Sequence, residues 1–437
     1  MHNHRGACVC TMLNLSHQNI PVAIIGGGIH GVSIAARLIR DFARHQIFGT
    51  EAVKYLAILD RYPHPLTAWQ RKTQKQGMKS LRSPAVHHVG MDALGIVEHA
   101  RIHQRSNELS SPYSQPSAGL FLDFCRREIE QQQIGSFYYQ FDVAELRWDK
   151  GSGRYPFRII SQRNEGFRAR CVILAVGSDD CPYIPPEFVR WRNRFPERIL
   201  HSGEFNLQDV GQRRGHEPHS NETRKVVIIG GGLTAGTLTK SLVEQGTQVV
   251  SILRSPLKIQ QFDFHPSWLG PKTIEAFNNE PDWENRWEAI QQARGEGSVT
   301  PDIAGVLEKY AATTSNFQRC IGAEVLDINK TSRLDRLQVN TSLGVIDAVD
   351  AIILATGYRF NLRKYAFLSN LIEQHGVTTV RGLPALDEKL QLTPVENLFG
   401  SGVVAQLQLG PAAGNIAGAA LAYGRFQESV LRAISVI

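Results

Sequence analysis

The chain has 437 residues, of which 42% are hydrophobic and 20% charged, with a formal net charge of +7 and 38 glycines. This length and composition fit a globular protein of two or three domains and exclude collagen-like and disordered chains. The basic residues occur in short runs without a nucleic-acid-binding motif, so we expect no nucleic-acid partner.

The cysteines and the N-terminal segment carry few signals. The six cysteines, Cys8, Cys10, Cys125, Cys171, Cys181 and Cys320, form no C-x-x-C pair, which argues against a disulfide framework and a metal site. No stretch reaches the roughly 20 apolar residues of a membrane span. We therefore predict a flexible N-terminal tail over residues 1–19, no metal, no transmembrane segment and a cytoplasmic location.

The first nucleotide-binding signal is "IPVAIIGGG", an apolar run typical of a strand buried in a parallel sheet. The segment "IHGVSIAARLIRDFARH" follows with apolar residues at helical spacing. Strand, turn and helix make Gly26-x-Gly28-x-x-Gly31 a dinucleotide-binding fingerprint. Gly26 permits the turn, Gly28 lets a pyrophosphate approach the backbone, and Gly31 lets the helix pack on the strand.

The next predicted strand, "KYLAILD", ends in Asp60. A carboxylate after this strand can accept both hydroxyls of an adenosine ribose. Asp60 lies farther from Gly31 than the usual ~20 residues, so we expect an extended first helix or loop.

A loop-rich segment at 80–125 has no counterpart in the minimal fold and leads into the predicted helix "LFLDFCRREIEQQ". We expect this segment to cap the first site, with His87, His88 and His103 facing solvent. The first unit then closes with the apolar strand "CVILAVGS", whose Gly177 is a candidate cofactor contact.

The same plan recurs later in the chain. "KVVIIGGG" is a strand and "LTAGTLTKSLVEQG" a helix, with the fingerprint Gly230-x-Gly232-x-x-Ala235. After the next strand, "TQVVSILRS", Arg254 stands where the first unit has an acid. A guanidinium suits a 2′-phosphate, so this unit is predicted to bind NADPH, with Ser255 and Lys258 able to assist.

Both units end in an apolar strand that runs into a glycine, the second being "AIILATGYR". The fold class is therefore α/β, with two Rossmann-like three-layer ββα domains, the second, NAD(P)H-binding domain inserted into the first. The predicted bounds are 20–205 and 356–437 for the two parts of the first domain and 222–355 for the NAD(P)H domain.

At this point the chain resembles the flavoproteins with two dinucleotide-binding domains, over nearly all of residues 20–437. "FPERILHSGEF" is similar to a motif of single-component NADPH-dependent flavin monooxygenases, with Glu197 in place of a glycine. "DAIILATGY", at 350–358, is similar to the signature of the amine N-hydroxylases that act on lysine or ornithine, with Arg363 as a departure downstream.

The resemblance implies FAD at the first turn, NADPH at the second, and a small-molecule substrate that reacts with O2. The implied reaction is hydroxylation of an amine or similar soft nucleophile through a flavin C4a-hydroperoxide. It implies a catalytic candidate in His201, flavin contacts at Gly402 and Gly410, and contacts on the NADPH side at Thr356 and Gly357.

Two other functions stay open from the sequence. One is an NAD(P)H dehydrogenase or reductase that passes electrons to a quinone or a protein, and the other is a non-enzymatic flavin-binding regulator. The substrate pocket is predicted to lie in segment 87–125 or in the aromatic segment 260–291. A homo-oligomer is compatible with the sequence.

Overall fold

A computed structural model describes residues 15–16, 18–47, 49–210, 223–331 and 336–435. The predicted tail, with Cys8 and Cys10, lies outside the described residues except at its last positions.

The α-helices of the described residues are α1 (Ile29–Arg44), α2 (Gly49–Ala52), α3 (Thr67–Lys75), α4 (Gly95–Ile102), α5 (Ala118–Gln131), α6 (Pro186–Arg194), α7 (Leu233–Glu244), α8 (Pro271–Asn278), α9 (Trp283–Arg294), α10 (Pro301–Thr313), α11 (Ala366–His375), α12 (Gln406–Leu409) and α13 (Gly418–Ser435).

The strands are β1 (Asn19–Ile25), β2 (Leu56–Asp60), β3 (Leu109–Ser110), β4 (Gln115–Pro116), β5 (Tyr138–Gln140), β6 (Val143–Trp148), β7 (Phe157–Ser161), β8 (Gly166–Leu174), β9 (Ile199–His201), β10 (Lys225–Ile229), β11 (Gln248–Leu253), β12 (Lys258–Ile259), β13 (Ser298–Val299), β14 (Phe317–Ile321), β15 (Val325–Lys330), β16 (Leu337–Thr341), β17 (Gly344–Val349), β18 (Ala351–Leu354), β19 (Thr379–Val380), β20 (Leu383–Pro384) and β21 (Leu398–Gly400).

The first sheet has seven strands in the order β5-β2-β1-β8-β7-β6, and β21 also pairs with β8. The pairs β1–β2, β1–β8 and β8–β21 are parallel, whereas β6, β7 and β8 pair antiparallel. Ile24 of β1 lies opposite Ile58 and Ile173, which are all fully buried. The apolar runs in the sequence are thus the central strands of a sheet covered on both faces.

Helices α1 and α13 pack against each other, and α13 also contacts β1. A hydrogen bond joins the two helices, since the buried Asp41 carboxylate of α1 accepts from the Tyr423 hydroxyl of α13 at 2.6 Å. The C-terminal segment therefore completes the first domain, as predicted.

The second sheet is wholly parallel, in the order β14-β11-β10-β18-β9. The antiparallel sheet β15-β16-β17 packs on one face through Ile328, Val339 and Val349. Helices α7 and α10 cover the other face through Leu242 and Leu307. These are the three layers of the predicted ββα domain.

The strands of the first sheet come from chain segments before and after the segment that forms the second sheet, which confirms the predicted insertion. One strand before residue 205, the predicted end of the first part of the FAD domain, belongs to the second domain instead. Strand β9 pairs in parallel with β18 and so belongs to the second sheet. Its apolar residue Ile199 is fully buried there, because it packs into the apolar core beside β18.

The long spacing between Gly31 and Asp60 also has a structural reason. Helix α1 runs to Arg44, and the short helix α2 then precedes β2. The extra residues are in this connection, so Asp60 still follows the strand beside β1.

Candidate functional site

The first glycine turn has the backbone that a nucleotide-binding turn requires. Gly26 has a φ of +116°, and a Cβ there would lie 2.5 Å from the Ala175 carbonyl oxygen. A Cβ on Gly31 would lie 1.8 Å from the Gly26 carbonyl oxygen. Only hydrogen fits at these two positions, so α1 begins in direct contact with the end of β1.

Gly28 faces open space, unlike its neighbours. A Cβ built there would meet no described atom within 4 Å. Gly28 is the N-cap of the 16-residue helix α1 and provides no side chain to cap it. The first N–H groups of α1 and the positive end of its dipole are therefore available to an anion such as a pyrophosphate.

Asp60 lies at the end of β2, directly beside this turn. Its carboxylate accepts the Gly27 N–H at 2.5 Å and the Tyr62 N–H at 3.0 Å. Burial raises the pKa of Asp60, while these two N–H groups act in the opposite direction by favouring the carboxylate. The carboxylate is thus fixed where it can accept ribose hydroxyls of a dinucleotide on the turn.

His30 is a polar group of this site that sequence reasoning missed. Its Nδ1 lies 3.0 Å from Ser401 Oγ and its Nε2 lies 3.1 Å from the Asn415 carbonyl oxygen. A carbonyl only accepts, so Nε2 carries the proton and Nδ1 accepts from the serine. Burial lowers the pKa of His30 to about 4, which keeps the ring neutral. The available signal was a histidine inside an otherwise apolar turn.

The C-terminal segment brings Gly402 and Gly410 to the same region. Gly402 has a φ of +68°, and a Cβ there would lie 3.4 Å from the His30 ring. Gly410 has a φ of +70° and packs against Trp268, 3.3 Å from a built Cβ. The turn, Asp60 and this segment thus lie around the start of α1, joined through Gly27, His30 and Ser401, and we call this group the cradle.

The second turn repeats the backbone of the first. Gly230 has a φ of +133°, and its Cβ would lie 2.4 Å from the Ala355 carbonyl oxygen. Gly232 is the N-cap of α7 without a capping side chain, and Ala235 is buried in the predicted packing position. Arg254 follows β11 with 85% of its side chain exposed, and its guanidinium pairs with Glu296 at 3.0 Å. Glu296 gave no signal in the sequence.

Two chain connections between the domains lie side by side. Tyr183 N–H donates to the Gly357 carbonyl at 2.9 Å, and Thr356 Oγ1 donates to the Tyr183 carbonyl at 2.5 Å. Gly177, predicted as a cofactor contact, accepts from the Tyr365 hydroxyl in the same region. These contacts join the ends of the two closing strands.

His201 is fully buried beside these connections. Its Nε2 lies 2.9 Å from the Gly357 carbonyl oxygen, and its Nδ1 accepts the Gly203 N–H at 3.2 Å. This pattern assigns the ring proton to Nε2, and burial lowers the pKa of His201. With both nitrogens bonded inside the protein, the ring fixes the backbone at Gly357.

Arg82, near the start of the capping segment 80–125, contacts the aromatic segment 260–291. Its guanidinium donates to Asp263 at 2.5 Å, to Ser298 at 2.9 Å and to the backbone carbonyls of Gln260 and Gln261. Arg82 therefore joins the capping segment of the first domain to the insertion in the second.

Asp263 and Arg294 continue this polar contact toward the cradle. Arg294 Nη2 lies 3.6 Å from Asp263, and its Nη1 donates to the Pro411 carbonyl at 2.7 Å. Trp268 and Phe277 form an edge-to-face pair, with ring centroids 5.4 Å apart, beside Gly410. Charged and aromatic side chains thus lie together next to the C-terminal segment.

The expectation that His88 faces solvent is wrong. The residue is only 6% exposed, and its ring packs edge-to-face on Phe124 of α5, with centroids 4.7 Å apart. The apolar face of α5 is what buries it, because the capping segment folds back over that helix. His103 is exposed and His87 is partly exposed, as expected.

Two classes of feature are absent from the described part of the chain. It contains no group of three or more His, Cys, Asp or Glu side chains placed to hold a metal ion. Each helix in it is too short or too polar to cross a lipid bilayer.

The fold and the two glycine turns define a protein with two dinucleotide-binding domains, one inserted into the other. Residues 120–360 match the family model of L-lysine 6-monooxygenase/L-ornithine 5-monooxygenase, which covers more than half of the chain. The chain belongs to this family, as its resemblance to the amine N-hydroxylases predicts.

Solved structures of three N-hydroxylases share the fold. The ornithine hydroxylase PvdA from Pseudomonas aeruginosa is 17% identical with a TM-score of 0.70, over 95% of this chain and 100% of that one. L-lysine 6-monooxygenase from Pseudomonas syringae is 18% identical with a TM-score of 0.70, over 94% and 99%. The Kutzneria sp. 744 ornithine N-hydroxylase KtzI, with reduced FAD, NADP+ and L-ornithine, is 15% identical with a TM-score of 0.71, over 95% and 99%.

A curated relative is the pentalenolactone D synthase of Streptomyces exfoliatus, 24% identical over 285 residues. The match covers 61% of this chain and 45% of that protein. The chain therefore spans less than half of the length of this relative.

Proposed function

We propose that the chain is an FAD- and NADPH-dependent monooxygenase that adds one oxygen atom to an amine nitrogen or a similar soft nucleophile. Membership in the lysine and ornithine monooxygenase family supports this reaction class. The structural observation that carries the two-cofactor part of the proposal is the pair of glycine turns, each at the carboxyl end of parallel strands, within one chain.

A flavin on the first turn, reduced by NADPH, would supply the electrons that activate O2, one oxygen atom going to the substrate and the other leaving as water. The protein contributes binding, orientation and the exclusion of water. Because the cofactors carry the redox chemistry, the proposed reaction requires no nucleophilic triad or metal from the protein.

The residues of the cradle have separate tasks in this proposal. The N–H groups of α1 at Gly28 hold the pyrophosphate, and the Asp60 carboxylate accepts the ribose hydroxyls. His30 is neutral, so it adds no charge beside the cofactor while it fixes Ser401 and the backbone at Asn415.

For NADPH, the proposed contacts are Gly230 and Gly232 at the second turn, Arg254 at the 2′-phosphate, and Thr356 and Gly357 at the nicotinamide side. His201 acts in this proposal as a positioning residue, since it holds the Gly357 carbonyl. Replacing His201 with Asn should raise the KM for NADPH more than it lowers kcat, because only the placement of the backbone changes.

We place the substrate beside Asp263, Arg294 and Trp268. In the structure Asp263 pairs with Arg82 and Arg294. An amino acid would replace the Asp263–Arg294 contact, with its ammonium group on the Asp263 carboxylate and its carboxylate on the Arg294 guanidinium. The names of the structural relatives include lysine and ornithine enzymes, so these two compounds are the first to test.

The test is a product screen with the FAD-loaded protein, NADPH and 18O2. Lysine, ornithine, simple amines and sulfides are each incubated, and mass spectrometry follows the incorporation of one labelled oxygen atom. A labelled product formed in proportion to the NADPH consumed supports the proposal. NADPH oxidation that reduces a quinone rapidly and yields no labelled product with any compound would instead establish a reductase.

A further inference from the structure

The two glycine turns differ in whether another chain segment covers the glycine at the N-cap of the following helix. Gly28 of the first turn faces open space, whereas Gly232 of the second turn is covered by Gly297. A Cβ built on Gly232 would lie 3.6 Å from the Gly297 Cα, and one built on Gly297 would lie 3.0 Å from the Gly232 Cα. A chain segment from elsewhere in the domain therefore crosses the predicted NADPH turn.

This segment, residues 295–297, is fixed at both ends by regular secondary structure. Helix α9 ends at Arg294, and Gly295, with a φ of +59°, turns the chain. Strand β13 then pairs in parallel with β12, with Ser298 opposite Lys258. Residues 295–297 are held between these two anchors, across the carboxyl end of β11.

Glu296 is the side chain that this arrangement points at the cofactor site. One carboxylate oxygen accepts from Arg254 Nη2 at 3.0 Å, and the other accepts from Ser255 Oγ at 3.2 Å. These are two of the groups predicted to bind a 2′-phosphate. The carboxylate thus holds the position and the hydrogen bonds that the phosphate would take.

We propose that Glu296 lowers the preference of the protein for NADPH over NADH, an inference that rests on the proposed function. A 2′-phosphate must displace the carboxylate from Arg254 or bind beside it against charge repulsion. The ribose diol of NADH brings no negative charge to this position, so the Glu296 carboxylate does not repel it. Glu296 therefore weakens NADPH binding selectively.

The solvent exposure of the pair makes the exchange feasible. Arg254 is 85% exposed and Glu296 is 60% exposed, so their ion pair is readily broken by a competing anion. The effect of Glu296 is accordingly moderate, and we expect its removal to tighten NADP+ binding about tenfold at low salt.

The experiment measures the Kd of NADP+, NAD+ and adenosine 2′,5′-bisphosphate by calorimetry, with the FAD-loaded full-length protein. E296Q should bind NADP+ and the bisphosphate about tenfold more tightly and NAD+ within twofold of the wild type. R254A should weaken NADP+ binding, and E296Q should have a smaller effect in the R254A background, because the competition for Arg254 is then absent and only the charge repulsion remains.

A matched control is E308Q, which removes the exposed carboxylate of another ion pair of the same domain. Glu308 on α10 pairs with Arg319 on β14 at 2.7 Å. E308Q should leave all three dissociation constants unchanged. A wild-type Kd for NADP+ that E296Q does not change, or an equal change for NAD+, overturns the assignment of Glu296. Failure of the wild-type protein to bind either dinucleotide would instead refute the proposed function itself.

Discussion

Replacing Gly28 with alanine should separate flavin binding from stability. A methyl group at Gly28 meets no described atom within 4 Å, and the residue has an ordinary φ of −77°. We therefore expect the free energy of unfolding of the apo-protein to fall by about 1 kcal/mol or less, because alanine is a poorer N-cap residue than glycine. The methyl group would, however, occupy the space through which the pyrophosphate approaches the backbone.

The expected loss of flavin affinity follows from the hydrogen bonds at stake. A hydrogen bond to a charged group contributes about 1.5–3 kcal/mol, and losing one raises the Kd for FAD about ten- to hundredfold.

Gly31→Ala should behave differently, because its Cβ would lie 1.8 Å from the Gly26 carbonyl oxygen. That variant should lose about 3 kcal/mol or more of stability, since α1 must move away from β1.

Urea unfolding of the apo-proteins and FAD titration followed by flavin fluorescence test both statements. Gly424→Ala is a matched control, since Gly424 lies in the exposed face of α13 and its Cβ would also meet no described atom within 4 Å. This control should bind FAD normally and gain up to about 1 kcal/mol of stability from helix propensity. If Gly28→Ala binds FAD as tightly as the wild type, the assignment of the first turn is wrong.

Two further predictions concern the groups that join distant parts of the chain. Because burial lowers the pKa of His30 to about 4, the unfolded chain takes up a proton near pH 6.5 that the folded chain refuses, so stability is lost as the pH falls from 6.5 to 4. His30→Gln should make urea midpoints fall less over that range, and an unchanged pH dependence would contradict the neutral ring. Arg82→Ala should cost about 2 kcal/mol in urea unfolding, because it leaves the partly buried Asp263 without its closest cation. Arg101→Ala, which removes an exposed ion pair with Glu98, should leave the urea midpoint nearly unchanged, and equal losses of stability for both variants would refute the role of Arg82.

Local sequence determined the two glycine turns, their strands and helices, and the position of Asp60. These features depend on neighbouring residues only. Gly26 and Gly230 take positive φ values of +116° and +133° because the strand must turn sharply into the helix that follows. Burial of the apolar runs on both faces then fixes a parallel sheet, so the duplicated α/β plan and the insertion could be predicted.

The tertiary structure alone decided which side chains meet at the cofactor sites. His30 meets Ser401 across 371 positions of sequence, Arg82 meets Asp263 across 181, and Arg254 meets Glu296 across 42. A single sequence carries no signal for such pairs, because the two partners of each pair lie far apart in the chain. His88 shows the same limit, since its burial comes from the packing of a loop on α5 rather than from its neighbours. Backbone geometry is local, whereas charge pairing and burial are properties of the folded chain.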